Sequence, residues 1–146
     1  MLKTRVIPTL LYRDHSLVKG VGFDSWRPVG QPLPAIAVYN TREVDELVFM
    51  DISASRERRS PDFTLIDDLA DECFMPLTVG GGVRSIDDVK HLLRAGADKV
   101  AVNTQAINRP DFIAKASSQF GSQCIVVSAD VRRHDNGEFE VFTLSG

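Results

Sequence analysis

The chain carries a glycine run, Thr78-Val79-Gly80-Gly81-Gly82-Val83-Arg84-Ser85, between an apolar stretch and an amphipathic one. Anion binding needs backbone N–H groups that converge with no Cβ in the way, and a helix N-terminus adds a favourable dipole. Gly80, Gly81 and Gly82 meet that need. A tight strand-to-helix turn explains them equally well. The next apolar stretch ends in Val102-Asn103-Thr104, again with short polar side chains, and Asn and Thr are also ordinary turn formers. Two polar strand ends side by side favour a shared oxyanion or phosphate pocket. Parallel sheets and barrels keep their active sites at this carboxyl edge.

Two carboxylates close apolar stretches. A carboxylate on the end of a buried strand is held in place and can act as general acid or base, or it can simply cap the following loop. Asp130 reads towards chemistry, whereas Asp51 stays open between the two roles. Arg5, Glu46, Lys99 and Asp98 sit at strand starts, on the opposite rim. They form either a solvated rim with ion pairs of little energetic weight or a charged set converging from three strands. His15, His91 and His134 have no metal-ligand spacing, and His91 falls in a helix as a surface residue. Cys73 and Cys124 lie in apolar surroundings without a CxxC motif and read as buried thiols. No metal and no cofactor is expected.

The elements that must position these groups follow from the pattern. Strands are expected over Arg5 to Leu11, Glu46 to Asp51, Pro76 to Val79, Lys99 to Asn103 and Cys124 to Asp130. Their consecutive apolar residues suit strands covered on both faces. Helices are expected between them. Ser60-Pro61 opens Asp62 to Cys73 with proline in the first turn. Ser85 caps a helix with Asp87 and Asp88 in its first turn, Gly96 offers a left-handed stop, and Pro110 to Gly121 bounds another. The rhythm is that of a parallel α/β unit repeated about four times. Tyr12 to Pro32 reads as a long functional loop carrying Phe23 and Trp26. His134-Asp135-Asn136-Gly137 reads as a hairpin turn leading into an alternating strand from Glu138 to Thr143.

At 146 residues, with 43% hydrophobic and 25% charged residues, the chain is expected to be one globular domain, 1–146. Its net charge of −3, with no basic run, argues against nucleic acid as main partner but not against a small anion held locally. No apolar run approaches a membrane span, and the start, Met1-Leu2-Lys3-Thr4-Arg5, lacks a signal-peptide core, so a cytoplasmic protein with no membrane association is expected.

In combination, several segments resemble the cyclase subunit of imidazole glycerol phosphate synthase. They are Val18-Lys19-Gly20, Asp45-Glu46-Leu47-Val48-Phe49-Met50-Asp51, Val79-Gly80-Gly81-Gly82, Gly96-Ala97-Asp98-Lys99-Val100, Asn103-Thr104 and Phe120-Gly121-Ser122-Gln123. The resemblance runs from Arg5 to the end. It implies an α/β fold of the (β/α)8 TIM-barrel family, here incomplete, with about five parallel strands and a terminal β-hairpin. It further implies that Gly81, Gly82, Asn103 and Thr104 belong to a phosphate site for a bisphosphorylated ribosyl substrate, with Asp51 beside it and Lys19 helping to cover it. By the same resemblance Asp130 is one of two catalytic aspartates that act as ammonia adds and the imidazole ring closes. Arg5, Glu46 and Lys99 match three of four gate residues where ammonia enters from a partner glutaminase, and Asp98 matches its interface.

One position departs from that pattern. The family's other catalytic aspartate closes the first strand, where this chain has Leu11; Asp14 matches a different position. A leucine cannot transfer a proton. The departure is similar to paralogues found with surface-polysaccharide genes, in which a cyclase-like barrel and a glutaminase supply ammonia to an amidotransferase making acetamidino sugars. A non-catalytic half-barrel that only associates is the remaining alternative. Because an unpaired apolar edge strand is a liability, the chain is expected to be a fragment, or to pair with the rest of the barrel or another copy.

Overall fold

A computed structural model describes residues 3–143. Strand β1 (Thr9–Arg13) is followed by β2 (Ser16–Val21), β3 (Asp24–Gly30), helix α1 (Pro32–Thr41), β4 (Leu47–Asp51), α2 (Phe63–Glu72), β5 (Leu77–Gly80), α3 (Ile86–Arg94), β6 (Lys99–Val102), α4 (Thr104–Asn108), α5 (Asp111–Phe120), β7 (Ile125–Val127), β8 (Asp130–Arg133) and β9 (Phe139–Phe142). One sheet runs in the order β3-β2-β1-β4-β5-β6-β7, and β8 and β9 form a separate ribbon. Among the described residues, β1, β4, β5, β6 and β7 are the five strands joined by parallel pairing, and β2 and β3 add antiparallel to β1. Five of the eight parallel strands of the expected barrel pattern are therefore present, as a sheet with alternating helices.

Strand alternation decides what each face carries. Leu10, Tyr12, Leu47, Phe49, Leu77, Val79, Val100 and Val102 pack with Ile36, Ile66, Leu69, Val89, Leu92, Phe112 and Ala116 of the helices into one buried core. Residues between them in the strands, such as Leu11, Met50, Thr78 and Ala101, fall on the opposite face. Register then aligns the strand ends: Tyr12 sits opposite Asp51, Met50 opposite Gly80, Gly80 opposite Ala101 and Val102 opposite Val127. The carboxyl ends of the parallel strands form one rim.

Several sequence expectations shift. Tyr12 to Pro32 is no long loop: most of it is the β2–β3 hairpin, turned at Gly22 (φ 56°) and Phe23 (φ 65°) and paired onto β1. The first strand begins at Thr9, so Arg5 stands before it, tethered through the neighbouring Val6 N–H, which donates to Asp45 at 2.7 Å. Helix α2 starts after Asp62, whose side chain accepts from the Leu65 N–H at 3.0 Å, so Pro61 precedes the helix. The fifth parallel strand stops at Val127, and Asp130 opens β8. The Ser85 cap is present as a reciprocal box with Asp88, Gly96 takes φ 98°, and the His134–Gly137 turn joins β8 to β9. Cys73 and Cys124 are free but only half-buried; burial pushes the Cys73 thiol above its usual range.

Candidate active site at the carboxyl rim

A cleft of about 230 Å³ opens at the carboxyl ends of the strands. Leu11, Asp51, Gly81, Gly82, Asn103, Thr104 and Asp130, seven positions singled out in the sequence, all line it. Lys19 is exposed on β2 and lies outside the lining residues; Phe23 and Trp26 from the β2–β3 hairpin are the part of that segment that reaches the cleft.

The glycine run does what its composition requires. Gly81 has φ 105° and Gly82 φ 73°, a region where a side chain is strained. A Cβ on Gly81 would lie 2.2 Å from the Asp51 carbonyl oxygen, and one on Gly82 would lie 2.7 Å from that of Arg59. Glycine is thus demanded both by backbone angle and by close approach. The Gly82 N–H donates to the Ser55 hydroxyl at 3.2 Å, within the cleft wall. Ser55 went unnoticed in the sequence because the segment carrying it folds back only in three dimensions.

The two aspartates of the cleft lining have different environments. Asp51 is buried on the helix-facing side of β4. Its Oδ1 accepts from the Ser53 N–H at 3.1 Å, the Ser53 hydroxyl at 3.0 Å and the Ala54 N–H at 3.1 Å. The Arg59 guanidinium grips both oxygens, at 3.1 Å and 2.9 Å. Such a fork is among the stronger charge-assisted pairings, and it raises the Arg59 pKa further above its ordinary value. With its acceptor capacity engaged, Asp51 serves the loop after β4 rather than offering a free carboxylate. Asp130, in contrast, is half-buried, and its Oδ2 accepts from the Asn103 amide at 3.0 Å. Among the described residues Asn103 Oδ1 is buried with no hydrogen-bond partner, a situation that costs about 1–3 kcal/mol. Leu11 supplies an apolar part of the cleft wall. Asp14 is exposed at the β1–β2 turn, beside Arg13 at 3.1 Å and away from the cleft lining.

The opposite rim brings its charges together. Glu46, buried just ahead of β4, places Oε1 2.5 Å from Arg5 Nη1 and Oε2 2.6 Å from Lys99 Nζ. The hydrogen bond from Lys99, and next that from Arg5, hold the Glu46 carboxyl below its usual range. Three segments separated by 41 and 53 residues in sequence therefore converge on one carboxylate. Asp98 lies on the same rim, but its carboxylate accepts from the Leu77 N–H at 2.7 Å and so ties β5 to the turn before β6. Among the described residues no cluster of three or more His, Cys, Asp or Glu side chains could hold a metal, and no helix is long and apolar enough to cross a membrane.

Comparison with known proteins agrees with this geometry. A family model described as a histidine biosynthesis protein matches residues 5–146. The chain is 49% identical over 146 residues to the imidazole glycerol phosphate synthase subunit HisF of Gluconacetobacter diazotrophicus, which covers 100% of this chain and 57% of that protein. It is also 49% identical over 133 residues to the putative imidazole glycerol phosphate synthase subunit hisF2 of Campylobacter jejuni, covering 91% of this chain and 53% of that protein. The chain spans little more than half the length of these relatives.

Proposed function

The chain belongs to the histidine-biosynthesis protein family, a TIM-barrel family, and from that membership we propose that it contributes the cyclase half-site of an imidazole glycerol phosphate synthase. The carrying observation is the two-ended arrangement of one sheet: a cleft lined by Gly81, Gly82 and Thr104 at the carboxyl rim, and Glu46 bridging Arg5 and Lys99 at the amino rim. In this reading a phosphate of a bisphosphorylated ribosyl substrate docks on Gly81, Gly82 and Thr104. Backbone N–H groups in that conformation accept an anion without a Cβ obstructing it. Asp130, a carboxylate of the cleft lining that accepts from the Asn103 amide, takes and returns protons as ammonia adds and the ring closes. Glu46 with its two cations forms the ammonia entrance, facing a glutaminase subunit, with Asp98 on the contact surface. Lys19 reaches the substrate only if the hairpin carrying it swings over the cleft.

Leu11 supports a second reading, in which the chain passes ammonia onward for amidino-sugar synthesis without closing an imidazole ring. One assay separates the two: the chain supplied with ammonium and the bisphosphorylated ribosyl nucleotide, with and without a partner glutaminase. The cyclase reading expects imidazole glycerol phosphate, at a rate that Asp130→Asn lowers about 10²–10⁴-fold, the usual weight of a general acid or base. Glutaminase stimulation without ring closure moves the assignment to the second reading. If neither is seen, both are wrong.

A further inference from the structure

The side chain of Asn103 is engaged in a way that a phosphate ligand would not be. Its Nδ2 donates to Asp130 Oδ2 at 3.0 Å, across 27 residues of sequence, and its Oδ1 is buried and has no partner among the described residues. Turning the amide over would set Oδ1 against the carboxylate, oxygen facing oxygen, and leave the amide N–H groups without an acceptor. The Asp130 carboxylate thus fixes which way the amide points, and the amide fixes where the carboxylate points. Buried polar atoms find partners in nearly all proteins, so an orphaned acceptor beside an acid/base group stands out. Backbone constraint adds to this: Asn103, between β6 and α4, has φ −112° and ψ −86°, outside the regular strand and helix regions.

We propose that Asn103 is the positioning residue for Asp130, and that its free Oδ1 accepts a hydrogen bond from an N–H or O–H group of the bound substrate. Asn103 would then join the acid/base group to the reacting part of the ligand, while the phosphate is left to Gly81, Gly82 and Thr104. The inference rests on the cyclase reading for the identity of that ligand, but the link between Asn103 and Asp130 does not.

The test is two-dimensional NMR of the whole chain, following the Asn103 side-chain amide protons and the backbone amides of Gly82 and Thr104. Asp130→Ala is expected to move the Asn103 side-chain protons to the positions of unbonded amides, while Asp130→Asn, which keeps an acceptor oxygen, moves them less. Titration with inorganic phosphate is expected to shift Gly82 and Thr104 but not the Asn103 side chain; the bisphosphorylated ribosyl nucleotide is expected to shift all three. The proposal is overturned if the Asn103 side chain ignores Asp130→Ala, or if inorganic phosphate moves it together with Gly82. In the ring-closure assay Asn103→Ala is expected to lower kcat about 10–100-fold, with the KM for the nucleotide little changed, whereas Thr104→Ala raises KM. The reverse pattern for Asn103 assigns it to phosphate and contradicts the proposal. A wild-type chain that closes no ring would sink the cyclase reading, and the spectra would still decide the link to Asp130.

Discussion

Two aspartates follow apolar stretches of the sequence, yet their surroundings differ. Asp51 is held by Arg59, Ser53 and Ala54, so Asp51→Asn is expected to lower stability by about 1.5–3 kcal/mol, the range for hydrogen bonds to charged groups. Asp130→Asn keeps an acceptor oxygen for its amide contact and is expected to cost under about 1 kcal/mol while abolishing most turnover. Urea unfolding of both variants checks this contrast. Equal destabilisation would mean that the two carboxylates are both structural. Glu46 carries a pH signature. Its carboxyl is held below the usual value by Lys99 and Arg5, so the folded chain binds that proton less readily than the unfolded chain. The resulting stability is complete above the ordinary glutamate range and fades as pH falls through the lowered one. Glu46→Gln is therefore expected to unfold more easily at pH 7 and to show a flatter loss of stability on acidification below pH 4.5. Parallel acid curves for the two proteins would contradict the ion triplet.

At the scale of elements, how much the sequence disclosed depended on whether the determining contacts were local. The runs around Phe49, Val79 and Val100 are apolar because both faces of those strands are covered, and their pattern was readable. So was the Ser85 box, where donor and acceptor lie three residues apart. Ser85→Ala is expected to lose about 1 kcal/mol, measured by urea unfolding. The β2–β3 hairpin was hidden because SLVKGV and DSWRPVG contain glycine, proline and charge, and owe their extended form to pairing with β1. Helix α1 (PLPAIAVYNT) was hidden for another reason: two prolines and an almost unbroken apolar composition leave little periodicity to read. In the site, Gly82 and Asn103 could be found from strand-end chemistry. Ser55, Arg59 and the contact between Asn103 and Asp130 could not, since each depends on residues that meet only after folding. Gly81 gives the sharpest check at this scale. Gly81→Ala must place a methyl against the Asp51 carbonyl at a positive φ, so it is expected to cost well over 1 kcal/mol and to weaken phosphate binding. A variant of unchanged stability would show that the turn relaxes freely.

Across the whole molecule, the two edges of the sheet differ. Edge strand β3 carries Arg27, Pro28 and Gly30, residues that discourage pairing with another chain. Edge strand β7 has only Ile125, Val126 and Val127, with Val127 more than half exposed, and the nearby β8–β9 ribbon exposes Val131, Phe139 and Val141. Light scattering of the 146-residue chain is expected to show association that Val127→Lys reduces. A monomer at every concentration would mean that β7 is protected in solution. In the proposed reading the sheet also separates two tasks by its length: anion binding and proton transfer at one rim, a charged entrance at the other, with an apolar core holding the strands in register between them.

The most direct measurement of that separation is a residue-resolved NMR titration of the chain with the bisphosphorylated ribosyl nucleotide. Saturable shifts at Gly81, Gly82, Asn103, Thr104 and Asp130, with Arg5, Glu46 and Lys99 unmoved, are the result the two-rim arrangement requires. Shifts centred on Glu46 and its cations, or no saturation at the glycine rim, would contradict it.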